Sequence, residues 1–225
     1  MKNRCLVFTL MLGLACVAHA ESAAPRPPAP SLTQPKGTAT RTDARGFIHR
    51  WLVLEPVPVA GRLTESAVGE ALQAAPLPKP ATAVPRDGES LTLANTPVQW
   101  HALETLNYNV NLYHFAWALS KPTSNVLFWA TTVIDAPREM PNVRLAIGSN
   151  AASRWWLNGE PVIALNDDRQ AVIDDGVSRR VTLRQGRNVI RAAIINGGGA
   201  TDFCARFLDA NDRPIPGLGV TLATD

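Results

Sequence analysis

The amino-acid sequence predicts an all-β chain: a β-sandwich with one short helix, preceded by a disordered N-terminal tether. Three observations predict it. Val143, Leu145 and Ile147 alternate with Arg144 and Ala146, the period of a strand with one buried face. Turn-forming residues recur about every 8–12 residues, with no long helical period between them. Asn158-Gly159 separates two extended runs, and both residues tolerate the positive φ angles of a type I′ hairpin turn.

Taken in order, residues 1–20 read as a signal peptide. Lys2 and Arg4 supply the positive start, Leu6 to Val17 the apolar middle, and Ala18-His19-Ala20 the small-x-small cleavage signal. Cleavage is expected after Ala20. The alternative is lipoprotein processing at Cys16, although Gly13 stands where a large aliphatic residue is expected. The apolar run is shorter than the about 20 residues of a membrane span, so no transmembrane segment is expected after processing. A periplasmic or extracellular location follows. Lys2 and Arg4 leave with the leader, so twenty basic residues face nineteen acidic ones and the formal charge falls from +3 to +1. No dense basic patch interleaves with aromatics, which argues against nucleic acid as a partner. Cys5 and Cys16 also lie in the leader. Cys204, between Phe203 and Phe207, then has no internal disulfide partner and reads as a packed thiol.

Residues 21–45 are rich in Pro, Ala, Thr and Ser and read as a linker unable to bury enough surface to order itself. The sandwich domain is expected over 46–225. Phe47 to Leu54 opens it as a strand that Glu55-Pro56-Val57-Pro58 ends. Leu63 to Ala74 has a helical cast, with Thr64 as N-cap, Glu65 in the first turn, and Val68, Leu72 and Ala75 on one face. Four prolines make 76–88 an irregular connection. Val98 to Leu103 and Leu112 to Leu119 read as strands. Val126 to Ile134 is apolar at nearly every position, as in a central strand covered on both faces. Beyond Ile147, strands are expected over Arg154 to Leu157, Pro161 to Leu165, Val181 to Leu183, Asn188 to Ile195, Thr201 to Leu208 and Gly217 to Leu222.

Within this stretch, Ile147-Gly148-Ser149, Trp156-Leu157-Asn158-Gly159, Val181-x-Leu183-x-x-Gly186-x-Asn188 and Phe203-x-x-Arg206 resemble, in that order, the galactose-binding-domain-like jelly roll. Such modules occur in secreted glycosidases and cell-surface proteins, and the resemblance covers roughly residues 125–218. It implies a jelly-roll topology, places Trp156 in the core and leaves Trp155 facing outward or toward a covering segment; the alternative is that both tryptophans are buried because the upstream region shields the second face. One departure concerns metal. Related sandwiches often carry an acidic pair after the Gly-Ser, whereas this chain has Asn150 and Ala151, and an alanine side chain cannot ligate a hard cation.

Reagents for catalysis are sparse. Once the leader is set aside, the histidines are His49, His101 and His114, each in or beside an apolar run where a structural histidine is the commoner case. There is no His-Glu-x-x-His, no Cys-x-x-Cys and no Gly-x-Ser-x-Gly. Asp167-Asp168 and Asp174-Asp175 are paired carboxylates, but adjacent strand residues point to opposite faces. Neither dipeptide alone spans the roughly 5–10 Å that glycoside hydrolysis needs. No cofactor is called for; the weak calcium candidates are Asn166, Asp167 and Asp168. The six tryptophans point elsewhere, since an aromatic face can stack on the apolar face of a sugar ring. The expected function is therefore non-catalytic binding of a carbohydrate or cell-envelope polysaccharide. The expected surface is Trp155, Arg154, Asn150 and the loops around Asp167 and Asn196. A structural or protein-interaction subunit of an envelope complex, and a hydrolase whose site does not show in sequence, stand as alternatives.

Overall fold

A computed structural model describes residues 32–78 and 82–222. The leader, its cleavage point and Cys16 lie outside the described residues. Two short strands, β1 (Leu32–Thr33) and β2 (Ala39–Arg41), precede β3 (Arg50–Leu54), β4 (Val57–Pro58) and helix α1 (Glu65–Ala74). Then come β5 (Ser90–Leu93), β6 (Thr96–Thr105), β7 (Val110–Asn111) and a second helix, α2 (Leu112–Ala118). The long strands β8 (Val126–Ala136) and β9 (Met140–Ser149) lead to β10 (Ala152–Leu157) and β11 (Glu160–Leu165). The chain continues through β12 (Gly176–Val177), β13 (Val181–Leu183), β14 (Gly186–Asn196), β15 (Asp202–Leu208) and β16 (Gly219–Thr221).

These strands form two antiparallel sheets, confirming the all-β sandwich. The larger runs β1-β6-β3-β8-β14-β10-β11, with β16 and β4 also on β8, β2 on β16 and β5 on β6. The smaller runs β12-β9-β15-β7, with β13 beside β9. The main core lies between them. A second apolar layer covers the outer face of the large sheet, where Val68, Ala71 and Ala75 of the α1 segment meet Leu52, Leu127, Trp129 and Val133. This explains why β8 is apolar at nearly every position: Val126, Phe128, Ala130 and Ile134 face the main core, while Leu127, Trp129 and Val133 face the helix layer.

Local expectations hold at several points. Thr64 caps α1, its hydroxyl accepting from the Ala67 N–H at 3.4 Å. Asn158 and Gly159 take φ of 53° and 90° and join β10 to β11. Two stretches differ. Leu112 to Leu119, expected as a strand, is mostly helix α2. The Asn111 side chain accepts from the His114 N–H at 2.7 Å, and Leu112, Phe115 and Ala116 bury one helical face. Residues 32–45, expected as part of a disordered tether, contain β1 paired with β6 and β2 paired with β16. Backbone ladders at the sheet margins hold them, which a composition argument based on apolar content does not detect. No helix among the described residues is long and apolar enough to cross a membrane.

Candidate functional site

The antiparallel strands give the sandwich two loop-bearing ends. At one end lie the C-termini of β9, β11 and β14 and the N-termini of β8, β10 and β15, and here the sequence-expected site residues gather. Most are occupied in holding the loops together. Asn150 accepts the Asp202 N–H at 2.8 Å and donates to the Ala200 carbonyl at 2.6 Å. Asn196 is buried, donating to the carbonyls of Thr123 and Gly199 and accepting the Gly198 N–H. The Arg154 guanidinium donates to the Leu165 carbonyl and to Asn166 Oδ1, both at 2.7 Å, and burial lowers its pKa despite the nearby Glu65. Asp167 is exposed, its backbone N–H bonded to the Leu63 carbonyl.

Trp155 requires a correction. It is 0% exposed, stacks edge-on against Trp51 and Phe203, and donates its indole N–H to Ser153 Oγ at 3.0 Å. Trp156 instead lies half-buried on the helix side, against Trp129. The parity is opposite to the one the resemblance implies, because Ser153, Trp155 and Leu157 are the β10 residues that face the small sheet. A buried indole offers no face to a sugar.

One of the three calcium candidates is already engaged. Asn166 Oδ1 is taken by Arg154, whose positive charge opposes a cation there, and Asp167 and Asp168 remain as exposed turn residues. The other carboxylate pair is engaged as well: Asp174 accepts two bonds from Arg206, and Asp175 pairs with Arg169. His49 bridges Asp43 Oδ2 at 3.1 Å and the Thr105 carbonyl at 3.0 Å, and His101 meets Glu55 at 3.2 Å. Burial pushes the Cys204 thiol up to about 11, as expected for packed sulfur.

The opposite end holds a groove of about 310 Å³ between the β10–β11 hairpin and the segment entering and leaving β13. Leu157, Val162 and Val181 supply its apolar part, and Asn142, Asn158, Arg179, Arg180 and Arg184 its polar part. Two asparagines build it. Asn158, in the hairpin turn, accepts the Val189 N–H at 2.9 Å and donates to Asn188 Oδ1 at 3.0 Å. Asn188 is fully buried. It accepts the Arg184 N–H and donates to the carbonyls of Arg184 and Gly186, closing a loop in which Gly186 takes φ of 74°. The Val181-x-Leu183-x-x-Gly186-x-Asn188 motif is thus a core residue, a positive-φ turn and a buried amide clasp.

Within the groove, Arg180 is anchored to the carbonyls of Asn142 and Asp209, both at 2.9 Å, and to Asp212 at 3.0 Å. Arg179 donates to the Pro161 carbonyl at 3.0 Å. Sequence reading missed these residues. The available signal was three arginines within six residues, Arg179-Arg180-Val181-Thr182-Leu183-Arg184, a run read only for its strand period.

No protein-family model and no curated relative matches the sequence. Among solved structures, the PA14 domain of the antifreeze protein MpAFP is 10% identical, with 77% of this chain and 92% of that one covered, at a TM-score of 0.43. A family 35 carbohydrate binding module from Clostridium thermocellum is 22% identical over 37% of this chain and 72% of its own, at 0.26. A β-glucosidase from Kluyveromyces marxianus is 16% identical over 49% of this chain, which spans only 14% of the enzyme, at 0.36. At such scores these are distant likenesses, and the sandwich rests on its own strand pairing.

Proposed function

We propose that this chain is an exported, non-catalytic binding module of the galactose-binding-like kind, acting in the periplasm or outside the cell. Its ligand is a carbohydrate or cell-envelope polysaccharide, held in the groove beside the β10–β11 hairpin. One observation carries the reading: aliphatic side chains and fixed hydrogen-bond donors line the same open groove of about 310 Å³. A sugar ring presents C–H groups on its faces and oxygens around its rim, so its site needs both kinds of surface. The Asn188 clasp holds the groove wall in place before any ligand arrives, which lowers the ordering cost of binding.

The test is titration of the full chain against glycan arrays and isolated envelope polysaccharides, together with Thr182→Trp. Thr182 is an exposed lining residue, and the larger side chain fills the groove without altering its charges. Saturable binding that Thr182→Trp abolishes is expected. Absence of saturable binding, or equal binding by the variant, refutes the proposal. A second reading, an interaction subunit of an envelope complex, draws support from an open cleft of about 370 Å³ lined by Leu32, Leu103, Phe115, Ala118 and Leu119. A single stoichiometric protein partner, lost in Leu119→Asp, is its signature.

A further inference from the structure

We infer that the hairpin groove selects an acidic glycan, a chain of sugars bearing carboxylates, and that Arg179 and Arg184 are the residues that meet its charge. This rests on the carbohydrate reading above and narrows it to one ligand class.

Arg50, Arg169 and Arg206 each face a carboxylate: Glu104, Asp175 and Asp174. Three arginines line the groove against a single carboxylate, Glu160, and only Arg180 has an ion-pair partner, Asp212, which it shares with Arg144. Arg180 is also tied to two backbone carbonyls and serves as a wall. Arg179 spends one Nη on the Pro161 carbonyl, which fixes the guanidinium at the rim while leaving donors of its five-proton fork for a ligand. Arg184 has its backbone clamped on both sides by Asn188, and its guanidinium has no ion-pair partner among the described residues. Glu160 has none there either.

With Arg180 paired, Arg179 and Arg184 against Glu160 leave the groove lining net positive, which attracts an anion able to accept their hydrogen bonds. A planar carboxylate suits the guanidinium fork, which can donate two parallel N–H···O bonds. Val162 and Val181, both half-buried, meanwhile offer an aliphatic surface to the C–H face of the ring that carries the acid. The groove lining contains no aromatic side chain. Nucleic acid strands, which gain much of their affinity from base stacking on aromatics, therefore fit it less well.

The experiment is calorimetric titration of the full chain with tetragalacturonate, with a neutral tetrasaccharide and with a single-stranded oligonucleotide. It is repeated for Arg179→Ala/Arg184→Ala and for Arg62→Ala, an exposed arginine at the other end of the sandwich. Matched thermal melts show whether each variant is folded. The expected result is binding of the acidic tetrasaccharide at least about tenfold tighter than the neutral one, weakening as salt rises. The double variant is expected to lose that preference, and Arg62→Ala to keep it. Equal affinity for neutral and acidic sugars, unchanged in the double variant, overturns the acidic specificity and leaves the carbohydrate reading standing. Failure of both sugars removes both. An oligonucleotide bound as tightly as tetragalacturonate also overturns the inference, by showing a general polyanion surface.

Discussion

Replacing Asn188 by alanine tests how far the buried amide clasp supports both the fold and the groove. Asn188 is 0% exposed, and its side chain makes four hydrogen bonds: one from the Arg184 N–H, one from Asn158 Nδ2, and one each to the carbonyls of Arg184 and Gly186. At about 1 kcal/mol net per bond, the bonds alone amount to about 4 kcal/mol. The loss is smaller than the sum because truncation admits water to groups near the surface: Arg184 is exposed and Gly186 half-buried. A destabilisation of about 2–4 kcal/mol is expected, a large share of the 5–15 kcal/mol by which domains are stable. For a domain of this size it corresponds to a fall in Tm of roughly 5–15 °C. Urea unfolding followed by tryptophan fluorescence measures it, with an unchanged m-value showing that the transition itself is the same. Because the clasp holds Arg184 at the rim, glycan affinity is expected to fall under conditions where the variant is still folded. A loss of under about 1 kcal/mol refutes the view that this amide organises the end of the sandwich.

Trp155→Ala is expected to cost about 3–5 kcal/mol, since it empties the space beside Trp51 and Phe203. A variant of near-normal stability with selectively weakened glycan binding returns Trp155 to the role of a surface platform. Glu55 sets an acid limit on stability. Burial alone raises its pKa, but Lys121 at 2.9 Å and His101 at 3.2 Å outweigh this and hold it below the ordinary glutamate range. A carboxyl whose folded pKa is depressed contributes stability above its unfolded pKa and loses that contribution as pH falls through the folded value. Melting temperature is therefore expected to drop below about pH 4.5, and Glu55→Gln to flatten that slope; a variant with an unchanged acid profile contradicts the assignment. Cys204, buried and with a thiol pKa near 11, is expected to resist alkylation at pH 8 until the protein unfolds. Fast labelling of the native protein contradicts its place in the core.

Features governed by neighbouring residues were legible in the sequence. The Asn158-Gly159 hairpin follows from the φ preferences of two adjacent residues, the Thr64 cap from one side chain and one N–H, and the doubly buried β8 from a run apolar at nearly every position. Helix α2 was legible in principle, through Asn111 and the spacing of Leu112, Phe115 and Ala116, but an eight-residue apolar run fits either period.

What the chain alone determined is therefore the repertoire of strands and turns, since each depends on interactions within a few residues. Which tryptophan enters the core was decided by the tertiary structure. Both faces of the large sheet are covered, so alternation along β10 carries no label for inside, and only the position of the small sheet turns Trp155 toward it. The groove is likewise a tertiary product. Asn142, the hairpin from Leu157 to Val162 and the run from Arg179 to Arg184 meet because β9, β10, β11 and β13 end at the same edge of the sandwich. No local pattern encodes that meeting, because charge and shape there are sums over segments that pairing and packing bring together.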